Sequence, residues 1–279
     1  MTPFSASDAA LEGFQLVRRR WRVALGWAGF NLLALVMVIV LSAMLSVILS
    51  AVGGGSGGNT PAMAVAGLLV LGAALFTQAI IAVGVLRLEL RPDEPAFLHL
   101  RLGRDELRLV LVWLIGITGA WVLGWAGTLV GHAAGAPRGL GEFLAVLVVV
   151  YLGLRFVLVP PIAYAERKID FPRSWVLTRG RALAVLGMTA LSICLIALVM
   201  IAALVALALA ALAIGGFSGL AGVFGGAEAF RAHPAIFLLA FVAEIVLTPV
   251  LWILAMAPLA SAYRAFAPPE STMRSGGTA

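Results

Sequence analysis

Few side chains in this chain can do chemistry, because most of it is hydrocarbon. Of its 279 residues, 62% are hydrophobic and 11% are charged. The side chain that stands out is Arg155, inside a long apolar run. A guanidinium is a planar fork of donors matched to carboxylate or phosphate, and it is never neutral. Exactly equivalent in a second apolar run, 77 residues earlier, is Gln78, with Thr77 beside it. Each lies nine residues before the end of its run, at Arg87 or Tyr164. At about 1.5 Å per residue that is roughly 13 Å into a membrane. An Arg at that depth costs at least about 2.5 kcal/mol on insertion scales, so it needs partners. Pro160 and Pro161 follow and should free carbonyls near Phe156 and Val157. Arg155, Gln78, Thr77 and those carbonyls are therefore expected to form either a polar intramembrane site for an anion or lipid headgroup, or an internal hydrogen-bonded staple.

Other chemistries find little support. The three histidines, His99, His132 and His233, are far apart, and no His-Glu-x-x-His spacing occurs. The single cysteine, Cys194, lies in an apolar run and excludes an internal disulfide framework. No metal site, cofactor or catalytic residue is expected. The run Gly53-Gly54-Gly55-Ser56-Gly57-Gly58 lacks the Gly-Lys-Ser/Thr of a phosphate loop and reads as a flexible linker. Gly216-Phe217-Ser218-Gly219 spells the Gly-x-Ser-Gly of rhomboid-like intramembrane proteases, with His233 following. That site needs the Ser at the start of a helix within the bilayer and a His facing it. Ser218 instead lies in a Gly-rich connector, so the match reads as chance.

The elements that must position these residues are long apolar runs. Six of them, at about 23–52, 61–88, 107–133, 140–165, 183–214 and 235–263, are long enough to span roughly 30 Å of hydrocarbon. The expected fold is an all-α membrane protein with a six-helix transmembrane domain over 23–264. Residues 1–22 are expected to form an amphipathic interfacial helix, with Ser7 and Asp8 at its start and Leu11, Phe14, Val17 and Trp21 along one stripe. Residues 265–279 are expected to be a disordered tail. The first span is too long for a cleaved signal core and is expected to be retained. Of the nineteen Lys and Arg, only Arg138 and Arg231 fall on one side of this topology. The positive-inside rule then places both termini in the cytoplasm. The abundance of Arg, Ala, Gly and Val fits a bacterial genome of high G+C content, and hence a bacterial inner membrane.

Two connectors repeat one another without a gap. Glu89, Arg91, Asp93, Pro95, Leu100, Gly103 and Arg104 match Glu166, Lys168, Asp170, Pro172, Leu177, Gly180 and Arg181. The offset makes spans two and three a copy of spans four and five, a duplicated helix–amphipathic connector–helix unit in parallel orientation. Each proline is suited to start a short connector helix and each glycine to end it. Two short helices along the inner face are therefore expected. Gly127 and Gly131 have the spacing for close helix contact inside the monomer. The last outer connector, 215–234, is a candidate lid or re-entrant turn.

The stretch Arg155 to Leu186 ends a long span in Pro and Ala, turns through basic residues, and continues Ser174-Trp175-x-Leu177-Thr178-x-Gly180 into another span. With Ala262-Tyr263-Arg264 after the last span, it resembles the membrane-domain family of glycerophosphoryl diester phosphodiesterases and the YciC-like bacterial inner-membrane proteins. In two-domain members of the former the chemistry belongs to a separate soluble barrel, for which six spans leave no room here. The resemblance implies membrane architecture and not that activity. The expected role is a non-enzymatic scaffold in envelope homeostasis, binding membrane lipids with anionic headgroups, a membrane-protein partner or a second copy. A small carrier or channel for an anionic solute, using Arg155 and Gln78, is the alternative. Nucleic-acid binding has no separate support.

Overall fold

In hydrocarbon every backbone amide must be paired within its own segment, so long apolar runs become long helices. The computed structural model describes residues 5–52, 61–92, 97–137, 139–224 and 233–267. Among them every regular element is helical. The helices are α1 (Ala6–Arg19), α2 (Trp21–Val52), α3 (Pro61–Leu90), α4 (Arg104–Ala133), α5 (Leu140–Phe156), α6 (Val159–Ala165), α7 (Phe171–Thr178), α8 (Ala182–Phe224) and α9 (Pro234–Phe266). Six stretches are long and apolar enough to cross a membrane: α2, α3, α4, α5 with α6, α8 and α9. The chain is a multi-pass membrane protein. The linker at 53–58, Asp93, Pro95 and the tail beyond 267 lie outside the described residues.

The chain divides into two compact units. One comprises Met1–Glu12, Gln78–Ala190 and Met256–Ala279; the other comprises Gly13–Thr77 and Leu191–Ala255. The first thus contains both repeated connectors and both terminal segments. Its core joins Leu158, Ile162, Leu177, Val185, Met188, Tyr263 and Phe266 with Ala9 of α1. Helix α9 continues to Phe266, two residues past the expected boundary, because the Phe266 ring belongs to this core. Helix α4 lies along α5. Their crossing uses Gly127, Gly131 and Gly141. A Cβ on Gly127 would lie 2.6 Å from the Gly141 carbonyl oxygen, and one on Gly141 would collide with the Gly127 carbonyl. The small residues are spent inside the monomer, where they bring two backbones together.

In the second unit Asn31 Nδ2 donates to the Ile245 carbonyl at 3.4 Å, and Trp27 is fully buried. Gly13 sits against the Leu254 backbone, 2.9 Å from the position its Cβ would take. Large side chains such as Leu33, Met37, Val47, Ile201 and Leu209 point outward. On a soluble protein such a surface would be an aggregation liability; in hydrocarbon it is the solvated one. Helix α8 breaks at Gly216, whose φ of 58° and ψ of −147° suit only glycine. The chain then turns back, with Gly219 against the Ala211 carbonyl.

Two local expectations are corrected. The α1 cap is Ser5, whose Oγ accepts from the Asp8 amide at 3.3 Å, and not Ser7 or Asp8. In the first connector, whose residues 93–96 lie outside the described residues, the described part forms one 3₁₀ turn, Phe97–His99, with Leu98 and His99 at positive φ of 51° and 60°, in place of a longer helix there. Its shape follows from a tertiary bond: the His99 carbonyl is taken by Arg87, as described below. The second connector does form a helix, α7. Pro172 lies in its first turn and Gly180, at φ 76°, ends the connector.

Candidate functional site

Arg155 sits where two helices are made from one run. Pro160 and Pro161 have no amide hydrogen, so α5 stops at Phe156. The chain passes through Val157 and Leu158 and restarts as α6 with both prolines in its first turn, where no amide partner is needed. The last carbonyls of α5 then need other donors. The one that finds them is that of Arg155 itself, not those of Phe156 or Val157. It accepts from Ser174 Oγ at 2.8 Å and from Thr178 Oγ1 at 3.4 Å. The guanidinium of the same residue donates from Nη1 to the Thr178 carbonyl at 3.2 Å and from Nε to Tyr151 Oη at 3.3 Å. Its central carbon lies 5.3 Å from the centre of the Tyr151 ring and 5.0 Å from that of Trp175. Phe156 and Phe171 extend the ring cluster, 5.3 Å apart and edge to face.

Both ends of Arg155 are thus tied to α7, and α7 is held in turn. The Asp170 carboxylate caps it by accepting from the Arg173 amide at 2.9 Å, and Lys168 Nζ lies 3.0 Å from the same carboxylate. The amide bond first, then Lys168, holds this carboxyl below its usual value. Ser174, Leu177 and Thr178 form the buried face. Of the other residues expected at this site, Gln78 is half-buried in α3 and engaged in its own interactions. Thr77, in the other unit, gives its hydroxyl back to the Ala73 carbonyl at 3.0 Å.

A second polar cluster was not foreseen. Arg87 and Glu106 form an ion pair at 3.0 Å with side chains only 2% and 1% exposed. Arg87 Nη1 also donates to the His99 carbonyl at 2.6 Å and so draws the first connector inward. Beside it Arg91 donates to the Ala165 carbonyl at 2.9 Å and lies 5.3 Å from the Tyr164 ring. Arg87 lies 6.0 Å from the same ring.

The end of α9 joins the two repeated connectors. Tyr263 Oη donates to Glu166 Oε1 at 3.2 Å. The next residue, Arg264, donates to Glu89 Oε2 at 2.6 Å and to the Glu89 carbonyl at 2.7 Å. Glu89 and Glu166 are the acids matched under the 77-residue offset of the sequence. Arg264 also lies 3.9 Å from Glu12 of α1, and Arg173 lies 3.4 Å from Glu166. Adjacent side chains of one helix therefore hold the matching acids of both connectors. Of the remaining repeat residues, Gly103 precedes α4 in an extended conformation. Arg104 is exposed, and Arg181 packs 4.6 Å from the Phe266 ring.

No known protein family, curated protein or solved structure matches the chain.

The Gly-x-Ser-Gly segment is part of the α8 turn. Ser218 Oγ donates to the Gly215 carbonyl at 2.7 Å, which spends its proton on the backbone. The His233 ring faces Gly215, 3.7 Å from where a Cβ would be. Among the described residues, the polar side chains of these clusters fasten helices to one another. The residues missed from sequence, Arg87, Glu106, Tyr263 and Arg264, all sit at span ends. Their only signal was charge or a phenol at those ends, which the positive-inside rule already explains.

Proposed function

We propose that this is a non-catalytic inner-membrane scaffold in bacterial envelope homeostasis, with both termini cytoplasmic, that binds anionic lipid headgroups or a membrane-protein partner. The observation that carries this reading is the closed knot at Arg155. Its guanidinium donates to Thr178 and Tyr151, its carbonyl accepts from Ser174, and two aromatic rings flank the cation. A carrier would need that cation open to its solute; a staple needs it tied. The orientation rests on the Lys and Arg asymmetry. The duplicated unit is supported by more than sequence. Arg87 and Tyr164, equivalent under the 77-residue offset, touch each other, and the equivalent Glu89 and Glu166 share Tyr263-Arg264 as partners.

Cysteine accessibility tests the staple against the carrier. In a Cys194→Ala background, Gln78→Cys and Tyr151→Cys should resist a charged, water-soluble thiol reagent in sealed vesicles. Rapid labelling of both, blocked by an added organic anion, would replace the scaffold reading by the carrier.

A further inference from the structure

The bend between α1 and α2 carries four arginines. Arg18, Arg19, Arg20 and Arg22 are all exposed, and none of them is in an ion pair among the described residues. Arg19 donates to Gln15 at 3.3 Å, and Arg22 lies 5.5 Å from the Trp21 ring. The bend is ordered: the Arg20 amide donates to the Leu16 carbonyl at 2.8 Å and the Arg20 carbonyl accepts from Val23 at 2.9 Å. Around it the chain buries Gly13, Leu16, Ala24 and Trp27, the small and inward residues. It leaves Phe14, Trp21 and Leu25 outward, with Trp21 54% exposed. Helix α2 crosses the membrane from Trp21 onward, so this segment sits where hydrocarbon meets water. Unpaired arginines beside outward aromatic rings at that level match a phosphate layer over acyl chains.

We propose that residues 14–25 dock on anionic phospholipid, with Phe14, Trp21 and Leu25 among the upper acyl chains and the four arginines on headgroup phosphates. The proposal deepens the lipid-binding reading above and rests on it. A lipid is favoured over a protein partner because the outward apolar side chains run directly into those of α2, such as Leu33 and Met37, which face hydrocarbon. The charge has the matching sign, and the whole chain carries a formal +6.

The test uses the full chain reconstituted in vesicles, with Cys194→Ala and an environment-sensitive fluorophore on Phe14→Cys. A nitroxide placed high on the acyl chain reads its depth. Quenching should be strong in phosphatidylcholine containing phosphatidylglycerol and weak in phosphatidylcholine alone. Each arginine changed to glutamine should lower the ratio of docked to undocked segment about fivefold. The fourfold lysine variant, which keeps the charge, should retain docking; its loss there overturns charge as the driving force. Equal quenching with and without the anionic lipid overturns the proposal. So does a label shielded from aqueous iodide yet out of reach of the nitroxide, which would place a protein on this face. The readout is independent of Gln78 and Tyr151 labelling, so failure of the docking and failure of the staple can be told apart.

Discussion

Removing Arg87 should be among the most damaging single changes in the chain. Its partner Glu106 is fully buried, and the Glu106 Oε2 atom has no hydrogen-bond partner among the described residues. Arg87→Met therefore leaves a carboxylate without its counter-charge and strips the His99 carbonyl of the donor 2.6 Å away. Breaking such a pair by deleting one member costs about 3–5 kcal/mol, mostly through the uncompensated charge. At about 1.4 kcal/mol per factor of ten, that is two to three and a half orders of magnitude in the folding equilibrium. Glu106→Gln should cost less, because its amide oxygen still accepts from Arg87. The double variant Arg87→Met with Glu106→Leu should recover most of the loss, since the pair's desolvation cost disappears with its attraction. Denaturant unfolding in detergent micelles, followed by circular dichroism, of the parent, Arg87→Met, Glu106→Leu and the double variant gives the four corners of the cycle. A coupling below about 1 kcal/mol, or an Arg87→Met variant as stable as the parent, would refute the assignment of this pair as a buried fastener.

Gly141→Ala should destabilise by about 1–3 kcal/mol or more, because its methyl would enter the Gly127 carbonyl, whereas Gly116→Ala, with nothing within 4 Å of its Cβ, should be neutral or slightly stabilising; thermal melts in one detergent compare them. Asp170 has its carboxyl held down by the cap and by Lys168, so its contribution is present above about pH 4 and fades as pH falls below that. The stability gap between the parent and Asp170→Ala should accordingly narrow on acidification, and a gap that widens would contradict the cap. Glu89→Gln should cost more than Glu166→Gln, because the Glu89 side chain is 8% exposed at 2.6 Å from Arg264, while Glu166 is 23% exposed and held by a phenol at 3.2 Å and by Arg173 at 3.4 Å. Hydrogen bonds to charged groups contribute about 1.5–3 kcal/mol, and the more exposed one belongs at or below the low end of that range.

The helices were legible because apolar length alone decides them: nothing but an internally bonded segment can occupy hydrocarbon. The glycine contact was legible for a similar reason, since Gly127 and Gly131 remove side chains from one face whatever lies opposite. Arg155 was legible as a group in need of partners, but not which partners. They come from Thr178, 23 residues on, and reach it only because Asp170 and Pro172 nucleate α7 beside α5. At Phe97–His99 the first connector departs from the short helix that local propensity favours. One tertiary bond from Arg87 to the His99 carbonyl outweighs that local preference. Tyr263 and Arg264 were named as an ending and Glu89 and Glu166 as a repeat, yet their pairing could not be read. It depends on which span end lies beside which connector, and a uniformly apolar surface carries no such address.

On the proposed reading of the two connectors as copies, the duplication matters through the way it is broken. Two copies with identical surroundings would give each glutamate the same partner. Here one helix end serves both, so one acid receives a guanidinium and the other a phenol. On the same reading, Arg87 and Tyr164 hold equivalent positions at the span ends, and the guanidinium lies 6.0 Å from the ring centre. A cation stacked on a ring is an attractive contact, whereas two arginines at equivalent positions would repel and two tyrosines would leave Glu106 without its counter-charge. On that reading, divergence at these few positions lets the copies pack against each other and against α9. Arg87 and Tyr164 on that reading each supply a contact that a repeat of the same residue would lack, whereas the arginines at the bend between α1 and α2 lie at the surface, where the membrane can use them.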